Sequence, residues 1–316
     1  MNVLVTGGAG FIGSHLVEKL LLHNHNVVCI DNFDGFYERR IKENNIKQSL
    51  KNPRFKLLEL DIRNYEDILK VFNEHLFDVV YHLAAKAGVR SSIDNPFIYE
   101  DVNIRGSMNL LECVKKFPVS NFIFASSSSI YGINNKIPFS EEDKVEHLIS
   151  PYAVTKRTIE LFSYTYHHLY NIPITCFRFF TVYGPRQRPD MAIHKFTRAI
   201  LNNVEITLYG DGSSKRDYTY IDDVVESMYA LLNKKFKFEI FNIGNSKVIE
   251  LSYLISVIER ITRKKAKIKW LPTQLGDVPA TYSDLTKANK YFGYFPKTNI
   301  EEGIQKFVNW YIKEMD

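Results

Sequence analysis

The sequence predicts a doubly wound parallel α/β sheet followed by a smaller C-terminal α/β region, and three observations carry that prediction. Short β-branched runs alternate with longer amphipathic segments, which calls for crossover helices between parallel strands. The runs are mostly apolar, as strands covered on both faces are. The first of them leads directly into a glycine-rich turn. Residues 3–6, 27–31, 56–60, 79–82, 122–125 and 174–178 therefore read as strands buried on both sides. Near residue 185 the rhythm loosens, and turn clusters at 210–214, 244–246 and 276–279 separate shorter elements. The expectation is one domain over 1–184 and a second over 185–316, with elements free to interchange. No Gly/Ser-rich linker divides them, so the two are expected to share one cleft at the carboxyl ends of the strands.

Composition narrows the function classes. With 316 residues, 45% apolar and 24% charged, the chain is an ordinary globular protein, neither fibrous nor disordered. A net charge of +5 suits a small anionic ligand but is too diffuse for nucleic acid. The one basic cluster, Arg263, Lys264, Lys265, Lys267 and Lys269, reads as a solvated helix end. Cys29, Cys113 and Cys176 lie far apart in apolar surroundings and show no metal spacing, so they read as core residues in a reducing compartment. No export signal or membrane span is evident, which makes the cytoplasm the default location and leaves no membrane partner.

The first strand runs into Gly7, Gly10 and Gly13 at three-residue spacing, and then into the apolar start of a helix. In such a loop the first glycine permits a tight turn, the second lets backbone approach a diphosphate, and the third lets helix and strand pack closely. The second strand ends in Asp31, 18 residues after Gly13, where a carboxylate can accept from the ribose hydroxyls of NAD and would repel the extra phosphate of NADP. A glycine turn of another α/β protein, with Asp31 as a helix cap, is the plain alternative. Asp61, just after the third strand, is either an adenine contact or a cap.

Tyr152 and Lys156 stand four apart at the start of an expected helix, hence on one face. An ammonium beside a phenol favours phenolate, a usable base, and the lysine can also hold a nicotinamide ribose. Alone, such a pair is usually a surface feature; behind a dinucleotide loop it reads as chemistry. The fifth strand ends in Ser126, Ser127, Ser128 and Ser129, before Tyr131 and Gly132, where a hydroxyl can bond a reacting oxygen or simply line a turn.

Taken together, Gly7 to Gly13, Asp31-Asn32, Ser126 to Gly132 and Tyr152 to Lys156 resemble the extended short-chain dehydrogenase/reductase family of nucleotide-sugar epimerases and dehydratases, over essentially the whole chain. The resemblance implies a Rossmann sheet, bound NAD and a catalytic set of Ser127, Tyr152 and Lys156. It further implies cofactor contacts from Phe11, Ile12, Asn32, Asp61, Ile62, Leu83, Ala84, Ala85 and Asn103, and no metal. A homodimer built through long helices around 100–116 and 152–170 is implied as well.

Dehydratases and decarboxylases of this family carry carboxylates after the catalytic hydroxyl residue, where this chain has Ser128 and Ser129. Dehydration needs a second acid/base, whereas epimerisation needs only one. The stretch from Phe179 to Ala192 resembles the branch acting on UDP-glucuronate at carbon 4. Thr181 stands where UDP-glucose epimerases normally have asparagine. Thr181 and Arg188 are candidates for the sugar carboxylate, because a guanidinium fork matches a carboxylate bidentately, with Arg90 and Arg186 as nearby cations. Ser128 is a further sugar contact. Arg216 is implied on the diphosphate and Asp277 on the uridine ribose, while Gln274 replaces a second arginine of many hexose epimerases. A solvated basic loop and loop salt bridges are the bland readings of these residues. A UDP-glucose or UDP-N-acetylglucosamine epimerase and a non-catalytic NAD-sensing regulator remain as alternatives.

Overall fold

A computed structural model describes residues 1–134, 136–272 and 280–315. Along the chain the strands are β1 (Asn2–Thr6), β2 (Asn26–Asp31), β3 (Phe55–Glu59), β4 (Val79–His82), β5 (Asn121–Ser127) and β6 (Ile174–Phe179), then β7 (Thr181–Tyr183), β8 (Glu205–Tyr209), β9 (Lys215–Tyr220), β10 (Phe238–Ile243), β11 (Val248–Glu250) and β12 (Lys267–Leu271). The helices are α1 (Phe11–Leu22), α2 (Arg39–Ile46), α3 (Tyr65–Glu74), α4 (Val89–Asp94), α5 (Pro96–Tyr99), α6 (Gly106–Lys116) and α7 (Pro151–Tyr170), followed by α8 (Ala192–Leu201), α9 (Ile221–Ala230), α10 (Leu251–Thr262), α11 (Thr286–Phe292) and α12 (Ile300–Met315).

The main sheet runs β3-β2-β1-β4-β5-β6-β10, and the five pairings from β3 to β6 are parallel. This 3-2-1-4-5-6 order reverses direction between β1 and β4, and in open α/β sheets ligands bind outside the carboxyl ends of the strands at that point. The helices lie on the sheet because apolar residues recur on one face of each: Ile68 and Phe72 of α3, Leu110, Leu111 and Val114 of α6, and Ile159 and Tyr166 of α7 join Val80, Phe122 and Phe124 of the strands in one core.

By compactness the chain forms two units that interleave in sequence. The first comprises 1–133, 143–179 and 225–241; the second comprises 134–142, 180–224 and 242–316. In the second unit β9 lies between β7, parallel, and β11, antiparallel, while β8 and β12 pair in parallel.

Some expectations need correction. The third strand is not buried on both faces: β3 closes the sheet edge and its residues are half-buried or exposed. The helix expected around 100–116 is interrupted, since residues Glu100–Arg105 form a wide π-type turn before α6. The basic cluster is only partly a helix end: Arg263 caps α10 in the left-handed region, but Lys267 and Lys269 belong to β12. The three cysteines are free and buried, as core residues are.

Candidate active site

The turn after β1 shows why glycines stand where they do. Gly7 has φ +73°, and a Cβ on it would sit 2.7 Å from the Ala84 nitrogen; a Cβ on Gly13 would sit 2.2 Å from the Gly7 oxygen. Both positions are closed to any side chain by the fold itself. Gly10 is different, because a Cβ there would meet only the Gly7 oxygen, at 3.2 Å. Its open side lies at the head of α1, which no side chain caps and whose first turn holds no carboxylate. A bare helix N-terminus of this kind fits a diphosphate. Phe11 turns into the core against His15, and Ile12 is half-buried. Gly8, unremarked in the sequence, is required too, since a Cβ would lie 2.4 Å from the Cys29 sulfur.

Asp31, at the end of β2, is buried and accepts from the backbone nitrogens of Ala9 (3.1 Å) and Phe33 (2.9 Å). Burial raises its pKa, and Lys42, with Nζ 3.9 Å away, opposes that rise. Lys42 is a cation the sequence did not reveal at this strand end. It is held between Asp31 and the Asp34 carbonyl (2.9 Å), so its charge is already matched. Asn32 donates to Asp61 (2.8 Å), and Asp61 is gripped by Arg63, which lowers its pKa to about 2. Asp61 does not cap α3; Asn64 does. Ile62 packs into the core and its carbonyl accepts from Asn109 (2.9 Å).

The head of α7 is set by its sequence. The Ser150 hydroxyl accepts from the Ala153 nitrogen (3.2 Å), and Pro151 occupies the first turn, where its missing N–H is no loss. Tyr152 follows, its ring edge-on to Tyr99 at 6.2 Å. Lys156 lies one turn on, buried, with Nζ 5.9 Å from the centroid of the Tyr152 ring and donating to the Ala125 carbonyl (2.7 Å). Burial brings its pKa down to about 7. The bond to Ala125 ties α7 to the end of β5, where the Ser127 hydroxyl donates to Ser129 Oγ (3.2 Å) and accepts from the Ser129 nitrogen (3.2 Å). Ser128 is half-buried beside it. Ser126 faces the other way, donating to the buried carboxylate of Glu160 (2.6 Å), which is in turn forked by Arg178 (3.0 and 2.9 Å). The sequence carried no signal for this pair, whose members sit 18 positions apart on different elements.

Leu83, Ala84 and Ala85 are half-buried after β4, with the Leu83 nitrogen bonded to the Thr6 carbonyl (3.1 Å) and the Ala84 nitrogen to Thr6 Oγ1 (3.3 Å). Asn103 is buried in the wide turn before α6; its carboxamide accepts from the Lys86 nitrogen (2.8 Å) and donates to the Lys86 carbonyl (3.0 Å). Arg90 is exposed on α4. The first unit thus collects the glycine turn, Leu83 to Ala85, Asn103, Ser127, Tyr152 and Lys156.

The remaining sugar candidates lie in the second unit. Thr181 opens β7 opposite Tyr218 of β9, and Arg216, two residues before Tyr218, shares that face by register. Arg216 donates to the Lys215 carbonyl (2.9 Å). Arg186 adopts φ +65° in the loop that follows. The Arg188 fork, expected to be open toward a ligand, grips Asp190 two residues on, with Nε and Nη2 at 2.9 and 2.8 Å. Gln274 and Asp277 lie outside the described residues. Among the described residues no group of His, Cys, Asp and Glu side chains could hold a metal, and no helix is long and apolar enough to cross a membrane.

A parallel sheet reversing at a glycine turn, with a tyrosine and a lysine one helical turn apart, is the arrangement of a dinucleotide-dependent oxidoreductase domain. The model of the GDP-mannose 4,6 dehydratase family matches residues 4–307, and the chain belongs to this family of extended short-chain dehydrogenases/reductases. A UDP-glucuronate 4-epimerase of Thermodesulfobacterium geofontis is 43% identical over 308 residues, 97% of this chain and 95% of that one. The crystal structure of UDP-glucuronic acid 4-epimerase from Bacillus cereus, in complex with UDP-glucuronic acid and NAD, is similar over the whole of both chains, with a TM-score of 0.94 and 39% identity. That of UDP-glucose 4-epimerase from Thermotoga maritima, with UDP-glucose, also covers both chains fully, with a TM-score of 0.92 and 35% identity.

Proposed function

We propose that the chain is a UDP-glucuronate 4-epimerase, interconverting UDP-glucuronate and UDP-galacturonate with tightly bound NAD. The observation that carries this reading is the Tyr152 and Lys156 pair at the head of α7, tied to the end of β5 where plain hydroxyls, Ser128 and Ser129, follow Ser127. An epimerase needs no second acid/base there, and a dehydratase does. The relative and the Bacillus cereus structure that bear this activity in their names match the chain over nearly all of its length.

When bound, NAD supplies the acceptor and then the donor of the hydride at carbon 4. Tyr152 takes the proton of the sugar 4-hydroxyl on its phenol oxygen and later returns it. The Lys156 ammonium beside the ring stabilises negative charge on that oxygen. Ser127 donates to the oxygen on carbon 4 as it becomes a ketone. Proton and hydride both return, the hydride to the opposite face, so the 4-keto sugar is transient and the product is the epimer. Thr181 and Arg188 hold the uronate carboxylate, with Arg90 and Arg186 as further cations, Arg216 holds the diphosphate and Asp277 the ribose. A carboxylate turned so that its breaking bond is misaligned with the ketone keeps the β-keto acid from losing carbon dioxide.

One observation favours a neutral hexose instead: the Arg188 fork is already matched by Asp190. Purified protein given UDP-glucuronate and UDP-glucose side by side decides the matter. UDP-galacturonate is the expected product; UDP-galactose alone would overturn the choice of sugar, and carbon dioxide with a pentose nucleotide would make the enzyme a decarboxylase. Tyr152→Phe is expected to retain NAD and lose turnover by about a thousandfold or more, an interaction lost in the transition state, and unchanged turnover excludes Tyr152 as the base.

The proposal extends to assembly and location. Val154, Leu161, Phe162 and Leu169 of α7 are exposed, an apolar face suited to a second copy of this chain. Three buried free cysteines fit a reducing compartment such as the cytoplasm.

A further inference from the structure

Beneath the candidate site, the buried side chains of Thr6, His82 and Ser107 form a directed run of hydrogen bonds that ends on the main-chain carbonyl of Asn103, whose own buried carboxamide bonds the buried Thr155. Thr6 and His82 are register partners at the ends of β1 and β4, on either side of the point where the sheet reverses. Thr6 Oγ1 lies 2.8 Å from His82 Nδ1, and His82 Nε2 lies 2.8 Å from Ser107 Oγ. Ser107 has one proton and donates it to the main-chain carbonyl of Asn103, so it must accept from the ring. Nε2 therefore carries the hydrogen, and Nδ1 accepts from Thr6, whose oxygen accepts in turn from the Ala84 nitrogen. The ring stays neutral: burial, with the Lys156 charge adding, lowers its pKa to about 3.

Ser107 thus holds the main chain of Asn103, and the Asn103 carboxamide makes the next link. Its Nδ2 donates to Thr155 Oγ1 (3.0 Å), and the Thr155 hydroxyl donates to the carbonyl of Tyr152 (2.8 Å). The same carboxamide holds both backbone groups of Lys86. One network thus braces the turn after β4, which lines the cofactor position, and the main chain of the tyrosine. An apolar ring at position 82 would leave the buried Thr6 hydroxyl hydrogen without its acceptor and the Ser107 oxygen without its donor.

We infer that His82 is a positioning residue, locked as its Nε2–H tautomer, that fixes Asn103 and, through Thr155, the placement of Tyr152 against the turn at residues 83–85. The inference rests on the reading of Tyr152 and Lys156 as the reacting pair.

The test uses NAD-loaded enzyme turning over UDP-glucuronate, with kcat and KM measured separately and NAD content determined after denaturation. His82→Phe and Thr155→Val are each expected to lower kcat by about 10- to 100-fold, the penalty for a reacting group displaced by less than an ångström or so, with KM and NAD content little changed. Because both cut one run, the double variant should lose no more than the worse single. Should His82→Phe not fold, Ser107→Ala takes its place in the same cycle. A folded variant with kcat within about twofold of wild type, or losses that multiply in the double variant, overturns the inference. Tyr152→Phe is run alongside: if it turns over normally the reading of the pair itself fails, whereas an inactive Tyr152→Phe beside an undisturbed Thr155→Val removes only the role given to His82.

Discussion

Lys156 shows what one buried side chain does to both chemistry and stability. Its amine is buried and its pKa is brought down to about 7 by that burial. Below this value folded and unfolded chains both carry the proton, and the folded state bears the full burden of a buried charge. Between about pH 7 and the ordinary ammonium value near 10.5, the unfolded chain binds a proton that the folded one does not, so stability rises with pH there, by at most about 1.4 kcal/mol per unit. Lys156→Met lacks this slope. In denaturant titrations it is expected to be the more stable protein at pH 6.5, with the gap narrowing by pH 9, while its turnover falls at least about a hundredfold for want of the charge beside Tyr152; a gap that widens with pH would refute the account. At this scale the sequence was informative wherever partners are close along the chain. Gly7, Gly10 and Gly13, and Tyr152 with Lys156, stand at spacings that local geometry translates directly. His82, Lys42 and Glu160 were invisible, because what gives each its role lies 11 to 76 positions away on another element.

Among the elements, α7 is the best specified and the most dependent on distant support. Ser150 and Pro151 start it, and Asn171 ends it in the left-handed region, so its span could be read from its own residues. What holds its middle is not local. Glu160 is inaccessible and accepts from Ser126, Arg157 and Arg178, the last reaching on to the Tyr131 hydroxyl at 3.0 Å. Glu160→Gln leaves the Arg178 guanidinium buried without its counter-charge, and a stability loss of about 3–5 kcal/mol is expected by urea titration with an unchanged slope. A loss below about 1 kcal/mol would place this pair with ordinary surface bridges. The wide turn at 100–105 and the exposed edge strand β3 were misread for a related reason. A π-type turn leaves the apolar pattern of a helix nearly intact, and β3 was read from Leu57 and Leu58 although its Lys56 and Glu59 are the charges an edge strand carries.

For the whole molecule, the apolar stripe on α7 predicts self-association. Sedimentation is expected to give twice the chain mass, and Leu161→Glu, which places a charge on that stripe, to give the monomer; a wild-type monomer at micromolar concentration would rule the dimer out. The sequence foretold a doubly wound parallel sheet well, since that architecture is written in the alternation of its elements. It could not show how the chain is shared out, because membership of a unit depends on contacts made after the chain turns back. That sharing has a consequence during synthesis. Most of strand β10, which borders β6, lies with the rest of 225–241 in the first unit, so the main sheet cannot be completed when its first six strands have left the ribosome. A nascent chain stalled near residue 200 still lacks one edge of its main sheet, with the flank of β6 unpaired. A fragment ending at residue 184 lacks that edge and is expected to be recovered aggregated rather than as a miniature cofactor domain.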